Sequence, residues 1–156
     1  MTDLRTPKCQ GFGLLDLMIA VVIMSLLVAV AVPSYKQFVV RAKNARAIGD
    51  IGTMSIEIDK FRLKNNGQLP NSLNELSMEI PLDPWKTPYQ YLNIGAAGPG
   101  KGGLRKDGKL NPLNTDFDLY SAGSDGDSAG PLSAKSSRDD IVRANNGAFI
   151  GLGEDY

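Results

Sequence analysis

A long apolar stretch near the start of the chain, residues 14–32, constrains the fold most. Its only charged residue is Asp16. Built as an α-helix, its roughly 19 residues would extend for about 29 Å, which matches a hydrocarbon core of about 30 Å. The stretch therefore predicts a helix that crosses a membrane once, either as an anchor or as an uncleaved signal. It is too long for an ordinary cleaved secretory signal.

Asp16 and Pro33 do not suit a simple anchor. An isolated carboxylate in lipid costs roughly 2.5–3.5 kcal/mol on insertion scales, so Asp16 needs a partner. Pro33 removes a backbone donor and weakens the helix locally. A short polar leader precedes the stretch, and it ends in Gly11, which is followed by Phe12. These features indicate a helix with a task beyond anchoring.

This pattern resembles the class III signal of type IV pilins and pseudopilins. Gly11 precedes Phe12, the acidic Asp16 is the fifth residue counted from Phe12, and Pro33 is the twenty-second. The resemblance implies that a prepilin peptidase cuts between Gly11 and Phe12 and methylates the new amine of Phe12. It also implies that Asp16, where the family usually has glutamate, pairs with the N-terminal amine of a neighbouring subunit.

The resemblance divides the chain into three parts. Residues 1–11 are the cleaved leader, and residues 12–33 are the transmembrane and assembly half of the N-terminal helix. Residues 34–156 form the head, which the family places in the periplasm. The positive charges of the leader favour its retention in the cytoplasm. We therefore expect a single-pass protein of the bacterial inner membrane.

Composition excludes several kinds of function. The chain has 156 residues and no net charge, so it has room for one modest domain and no overall basic character for nucleic-acid binding. It has no histidine, and its one cysteine, Cys9, lies in the leader. Serine–histidine and cysteine–histidine catalysis are excluded, and only an oxygen-ligated metal remains plausible. We expect no enzymatic activity.

Residues 34–64 continue the helix with an amphipathic pattern. Apolar residues recur in steps of three and four and predict one face that packs on a domain. Asn65-Asn66-Gly67 predicts the end of the helix. The two halves together would form one helix of about 50 residues, roughly 75 Å long. The predicted face comprises Tyr35, Phe38, Ala42, Ala45, Ile48, Ile51, Met54, Ile58 and Phe61.

The remainder predicts a small sheet and long loops. Alternating residues predict strands within 83–94 and 116–123, with Phe117 and Leu119 on one face. The glycine-rich residues 95–115 predict a mobile loop. Residues 142–156 form a tail from which Phe149 and Ile150 pack back onto the head. The predicted fold class is α+β and pilin-like: a long N-terminal helix packed on a small antiparallel sheet, with a loop-rich C-terminal region.

A motif at residues 83–91 indicates which branch of the pilin-like family the chain resembles most. The sequence DPWKTPYQY is similar to the D-P-W-G-x-P-Y-x-Y signature of the major pseudopilins of type II secretion. Lys86 stands where that signature usually has glycine. A lone tryptophan between two turns, such as Trp85, is either a core residue or a platform for a ligand, and the core is the more common case.

Residues 124–141 form an acidic loop rich in glycine and serine. Calcium takes six to eight oxygen ligands from carboxylates, carbonyls and water, so such a loop can wrap one ion. The alternative is an acidic surface exposed to solvent. The acidic residues lie in two pairs, Asp125 with Asp127 and Asp139 with Asp140.

A second motif favours calcium. Residues 117–126, FDLYSAGSDG, are similar to the D-x-Y-S-x-G-x-D-G motif of major pseudopilins, after which a loop binds Ca²⁺. The resemblance implies carboxylate ligands from Asp125 and from Asp139 or Asp140, with Asp127 a further candidate. By position, it adds the carbonyls of Leu119 and Ala122.

The resemblance implies a structural subunit of the pseudopilus of type II secretion. Such subunits polymerise with copies of themselves and with minor pseudopilins, on an inner-membrane assembly platform, into a periplasmic filament that acts as a piston. Two pilin-like alternatives remain open: a subunit of a type IV pilus used for adhesion, motility or DNA uptake, and a filament subunit with no secretion role. A membrane-anchored periplasmic enzyme is the remote alternative.

Overall fold

The computed structural model of the chain describes residues 13–96, 103–108 and 110–156. Over these residues, one long helix precedes a four-stranded antiparallel sheet whose strands follow chain order, β1-β2-β3-β4. The helix buries one face against this sheet, which confirms the predicted α+β fold class. The elements are α1 (Leu14–Lys64), β1 (Gln90–Asn93), β2 (Phe117–Ser121), β3 (Ile141–Ala144) and β4 (Phe149–Leu152), with short 3₁₀ turns at Leu73–Glu75, Lys135–Ser137, Asn145–Gly147 and Gly153–Asp155.

The chain divides into two compact units, one ending at Val40 and the other Arg41–Tyr156. In the first unit, α1 contains a window of 18 residues with a mean hydropathy of 2.8 and no buried residue. Its length and composition suffice to cross a membrane. The predicted boundary between membrane half and head, after residue 33, stays a prediction.

In the second unit, one face of α1 forms the core with the sheet. Ala47, Ile51, Met54 and Ile58 are fully buried, in steps of four, three and four residues. They pack with the inward side chains of the sheet, among them Phe117. Burying each of the larger side chains contributes about 1.5–3 kcal/mol, so this face holds the helix against the head.

The predicted apolar face is confirmed in its second half and wrong in its first half. Ile48 and Phe61 are half-buried and pack against the core. Ala42 and Ala45 are exposed, as are Tyr35 and Phe38. The helical period continues through all these positions, but the fully buried residues of α1 begin only at Ala47.

The predicted end of the helix is confirmed. Gly67 donates its backbone N–H to the Arg62 carbonyl at 2.8 Å, and Asn65 donates to the Phe61 carbonyl at 3.0 Å. Asn66 and Gly67 have φ values of 54° and 87°. Asparagine and glycine tolerate this left-handed conformation best, which is why they end the helix.

The predicted strands are partly confirmed. Phe117–Ser121 forms within 116–123, but only Gln90–Asn93 forms within 83–94, because residues 83–87 make a turn. Residues 142–156 are not a simple tail, since β3 and β4 form a hairpin there. Each has four residues, too few for a clear alternation. Phe149 and Ile150 do pack back onto the head, as predicted.

A hydrogen bond also joins the sheet end to the helix. Tyr89 Oη donates to Asp50 Oδ2 at 2.9 Å. Burial and this carboxylate together raise the pKa of Tyr89 well above its ordinary value. Tyr89 is therefore a neutral hydrogen-bond donor that orients the start of β1 on α1.

Candidate functional site

Asp16 lies in the first turn of α1, on a helix surface that the described chain leaves exposed. Its Oδ2 atom accepts the backbone N–H of Gly13 at 3.1 Å. Leu14 and Leu27 are 80% and 67% exposed, and nearly all their neighbours between residues 14 and 40 are exposed as well. Between residues 14 and 32, a carboxylate therefore sits near one end of a surface that is otherwise almost wholly apolar.

Pro33 lies inside α1, as predicted. It has no N–H to donate to the preceding turn, which loosens the helix there. The next residue, Ser34, donates its hydroxyl to the Val30 carbonyl at 3.0 Å. Gly11 and Phe12, the predicted processing residues, lie outside the described residues.

Asp83 organises the turn that precedes β1. It is 3% exposed, and its Oδ1 atom accepts the backbone N–H groups of Trp85 at 3.0 Å and Thr87 at 2.7 Å. Its Oδ2 atom accepts the hydroxyl of Ser121, at the end of β2, at 2.5 Å. The Asp83 carboxylate thus connects the two sequence motifs, at residues 83–91 and 117–126. Neither motif by itself indicated this connection.

Lys86 occupies the position of this turn that favours glycine. Its φ is 73°, and its N–H donates to the Asp83 carbonyl at 2.9 Å. Its side chain is exposed. Trp85 is half-buried against the core, as the core interpretation predicts, and Lys43 Nζ lies 5.8 Å from the centre of its ring.

Gly123 packs tightly against Asp139 at the base of the acidic loop. Gly123 has a φ of 66°, and a Cβ atom at this position would overlap the Asp139 carbonyl. Oδ2 of Asp139 accepts the N–H of Ser124 at 2.8 Å, its hydroxyl at 2.7 Å and the N–H of Asp125 at 3.2 Å. Asp139 therefore faces donors at the start of its own loop.

Asp125 and Asp127 are exposed and stabilise the loop locally. Oδ1 of Asp125 accepts the N–H of Asp127 at 2.9 Å, and Oδ1 of Asp127 accepts the N–H of Ser128 at 2.9 Å. These are short-range turns that aspartate commonly makes. They direct both carboxylates along the loop surface.

Asp140 is fully buried and faces an arginine. Nη2 of Arg105 lies 2.5 Å from Asp140 Oδ2, and the Ser128 hydroxyl donates to the same atom at 2.6 Å. Burial raises the pKa of Asp140, while the hydrogen bonds from Ser128 and Arg105 act in the opposite direction. A sequence search for carboxylates finds Asp140 but gives no sign of its partner, 35 residues away.

The arginine belongs to the segment predicted as a mobile loop, and that prediction is wrong for several of its residues. Leu104, Arg105, Leu113 and Asn114 are between 1% and 6% exposed. Leu113 packs in an apolar cluster with Leu132 and Val142, while the arginine and asparagine find hydrogen-bond partners inside the head. Residues 97–102 and 109 lie outside the described residues.

The predicted calcium ligands come from the end of β2 and from both ends of the acidic loop. Leu119 lies within β2 and Ala122 just beyond it, both buried. Among the described residues, no group of three or more carboxylate, histidine or cysteine side chains is placed to hold a metal ion. Asp139 faces backbone N–H groups and Asp140 faces a guanidinium, so this arrangement does not fit a calcium ion. Calcium binding stays a prediction from the sequence.

A second buried ion pair lies at the other end of β2. Arg143 Nη1 and Nη2 donate to the two oxygens of Asp116 at 2.8 and 2.7 Å, and the guanidinium covers the Phe117 ring at 3.9 Å. Beside it, Asn114 Nδ2 bridges Asp118 Oδ1 and the Arg143 carbonyl at 2.9 Å each. Sequence reasoning missed this network because its members lie on separate strands and loops.

Comparison with known proteins places these features in a family. A type II secretion system core protein G from Pseudomonas aeruginosa is 31% identical over 141 residues, which cover 78% of this chain and 87% of the relative. The chain belongs to the family of the type II secretion system core protein G. This confirms the resemblance to major pseudopilins. No model of a protein family matches the chain.

Other members of the family, and one fimbrial protein, are also similar. The core protein G of Escherichia coli is 27% identical over 142 residues, covering 78% of this chain and 86% of the relative. The type IV major fimbrial protein FimA of Dichelobacter nodosus is 30% identical over 101 residues, covering 65% of this chain and 62% of the relative. These relatives show that the chain is a pilin-like subunit of a secretion or pilus system. None of the three is named as an enzyme.

Proposed function

We propose that this chain is the structural subunit of a periplasmic pseudopilus that acts as a piston in type II protein secretion. The observation that carries the proposal is the exposed apolar half of α1, with Asp16 near its end, in a member of the core protein G family. Such a surface is stable in lipid and equally stable when it is bundled with copies of itself. No step of this function requires catalysis by the chain.

The subunit is stored in the inner membrane before assembly. α1 crosses the bilayer once, with the leader in the cytoplasm and the head in the periplasm. The prepilin peptidase removes residues 1–11 and methylates the amine of Phe12. The mature protein then begins immediately before the apolar helix, which places a positive amine near Asp16.

Assembly moves α1 from lipid into a bundle of identical helices. Asp16 pairs there with the amine of a neighbouring Phe12, which sets the register of the filament. Breaking one partner of a buried charge pair costs about 3–5 kcal/mol, enough to prevent assembly. Copies of this chain form the filament on the assembly platform, with minor pseudopilins as further partners.

The experiment replaces Asp16 by asparagine, which keeps its shape and removes its charge. Cells that make only the Asp16→Asn protein are compared with wild type for three quantities: subunit in the membrane, filaments in the isolated cell envelope, and proteins in the culture medium. We expect normal membrane insertion, no filaments and loss of secretion. Mass spectrometry of the mature chain checks that it still begins at methylated Phe12. Normal filaments from this variant would refute the assembly mechanism.

Asp59→Asn is the matched control. Asp59 is another carboxylate of α1, and it forms an exposed pair with Arg62 at 3.1 Å. Exposed pairs contribute little to stability, so we expect normal filaments and normal secretion. Loss of filaments in both variants would mean that any lost charge on α1 disturbs assembly.

A subunit of a type IV pilus is the second candidate, and the similarity to the fimbrial protein FimA favours it. The same cells separate the two functions. Deletion of a secretion subunit empties the medium of specific proteins, whereas deletion of a pilus subunit removes surface fibres and leaves the medium unchanged. The second result would replace the secretion proposal.

A further inference from the structure

The guanidinium of Arg105 lies at the centre of the contacts that close residues 124–140. Nη2 donates to Asp140 Oδ2 at 2.5 Å, and Nη1 donates to the Ala129 carbonyl at 2.9 Å and to the Ser128 hydroxyl. One cation therefore holds the middle of the loop and its far end together. Arg105 is 2% exposed and Asp140 is 0% exposed.

Arg105 is held in place by its own backbone. Its N–H donates to Asp118 Oδ2 at 2.9 Å, and its carbonyl accepts the N–H of Leu113 at 2.8 Å. The backbone N–H of the next residue, Lys106, donates to the Gly130 carbonyl at 3.0 Å, and the Lys106 carbonyl accepts the N–H of Leu132 at 2.9 Å. The segment thus runs beside the acidic loop and delivers the arginine into it.

Charge and geometry make this arrangement an alternative to a metal ion. A buried carboxylate needs a positive partner, and the planar guanidinium supplies one with several directed donors. The ring of Tyr120, 4.2 Å from the guanidinium carbon, covers one face of it. A calcium ion on the same carboxylate would lie within about 5 Å of Nη2, where two cations repel each other.

We propose that Arg105 supplies the positive charge that closes the 124–140 loop, so that this subunit keeps its loop folded without calcium. The arginine connects Ser128, Ala129 and Asp140, which is the task that a bound cation would otherwise perform. This holds whether the filament serves secretion or a pilus. Calcium at Asp125 and at Asp139 or Asp140, the prediction from sequence resemblance, is the competing outcome.

Trypsin reports directly on the loop. Lys135 and Arg138 are exposed cleavage sites within it. The full chain in detergent micelles is digested briefly with calcium and, separately, with an excess of EGTA, and cleavage at these two sites is measured by mass spectrometry. We expect equal rates in both solutions for the wild type. Protection that needs calcium would overturn the proposal.

Arg105→Met removes the charge and keeps a long apolar side chain. We expect cleavage at Lys135 and Arg138 to accelerate on the order of tenfold or more, because a buried ion pair is broken. The acceleration should be the same in the calcium solution and in the EGTA solution. Lys106→Met is the control, since Lys106 is the adjacent exposed cation, and its cleavage should match that of the wild type. An Arg105→Met loop that resists trypsin as well as wild type would also overturn the proposal.

Asp140→Asn tests the same ion pair from the other side, in case the Arg105→Met protein does not fold. It keeps the shape of the carboxylate and removes the charge that Arg105 neutralises. Circular dichroism checks that each variant is folded before digestion. We expect the loop of Asp140→Asn to open in EGTA as well. A loop as resistant as that of the wild type would show that the ion pair does not close it.

Discussion

Ser121 Oγ donates a hydrogen bond to Asp83 Oδ2 at 2.5 Å, across 38 residues of sequence. The other carboxylate oxygen of Asp83 is occupied by two backbone N–H groups of its own turn. One buried side chain therefore determines both the shape of the turn before β1 and its attachment to the end of β2. The two motifs that distinguish this family in sequence are parts of one structural unit.

Asp83→Asn should destabilise the head by about 1–3 kcal/mol. Asp83 accepts hydrogen bonds on both carboxylate oxygens, whereas the NH₂ group of asparagine can only donate, so at least one of the three bonds is lost. The measurement is chemical unfolding of the full chain in detergent, followed by tryptophan fluorescence at Trp85. Glu79→Gln, at an exposed position, should change the unfolding free energy by less than about 0.5 kcal/mol. Equal effects of the two substitutions would contradict the assigned role of Asp83.

Lys86→Gly should stabilise the head. A side chain at a φ of 73° costs roughly 1–2 kcal/mol, and glycine relieves this cost while losing about 0.4–1 kcal/mol to the greater entropy of the unfolded chain. The expected net gain in unfolding free energy is about 0.5–1 kcal/mol. Lys86→Ala keeps the backbone strain and removes only the exposed amine, so it should give no gain. If Lys86→Ala raised the unfolding free energy as much as Lys86→Gly, the gain would come from removing the charged amine and not from relieving backbone strain.

Gly123→Ala should destabilise the head by more than about 2 kcal/mol, because the added methyl group overlaps the Asp139 carbonyl and the backbone φ is positive. Gly49→Ala is the control within α1, where a Cβ atom has no neighbour within 4 Å. That substitution should stabilise the helix by up to about 1 kcal/mol. Thermal melting of both variants should therefore shift in opposite directions. A Gly123→Ala protein that melts with the wild type would show that the loop base can move.

The Asp116–Arg143 pair predicts a pH dependence of stability. Burial alone would raise the pKa of Asp116, but the hydrogen bonds and positive charge of Arg143, together with the backbone N–H of Phe117, outweigh it and hold the pKa below its ordinary value. A lowered pKa contributes stability above the unfolded pKa of about 3.9, and this contribution is lost as the pH falls through the folded pKa. Asp116→Asn should therefore cost about 3 kcal/mol at neutral pH and progressively less below about pH 4.

Unfolding of wild type and Asp116→Asn across this pH range measures the difference directly. The buried Asp140, whose pKa burial raises, titrates in both proteins and cancels in that difference. The pKa of Asp118 is raised first by burial and least by the Asp116 charge, so Asp118 adds only a small pH-dependent contribution to the difference. Asp59→Asn, at an exposed pair, should give a small difference that does not vary with pH. A constant cost of Asp116→Asn down to the lowest pH would mean that the pair is not ionic.

Local sequence patterns predicted the elements that depend on local physics. The apolar face from Ile48 to Phe61 follows from helical periodicity, and the helix end follows from the left-handed conformations of Asn66 and Gly67. Strand β2 follows from its alternation. The same reasoning extended the packed face too far, to Tyr35 and Phe38, because periodicity describes a face and says nothing about what covers it.

Hydrophobic runs, helical periodicity and motifs act over short distances along the chain, so they were enough to predict the membrane-length apolar helix, the α+β class and the family. Which buried charged groups are hydrogen-bonded or paired, and with which partners, follows from the tertiary contacts. Asp83 meets Ser121, Asp116 meets Arg143 and Asp140 meets Arg105 across 27 to 38 residues. The physical reason is that a buried charge is paired by whichever group the fold brings within hydrogen-bond distance, and sequence spacing does not encode that distance.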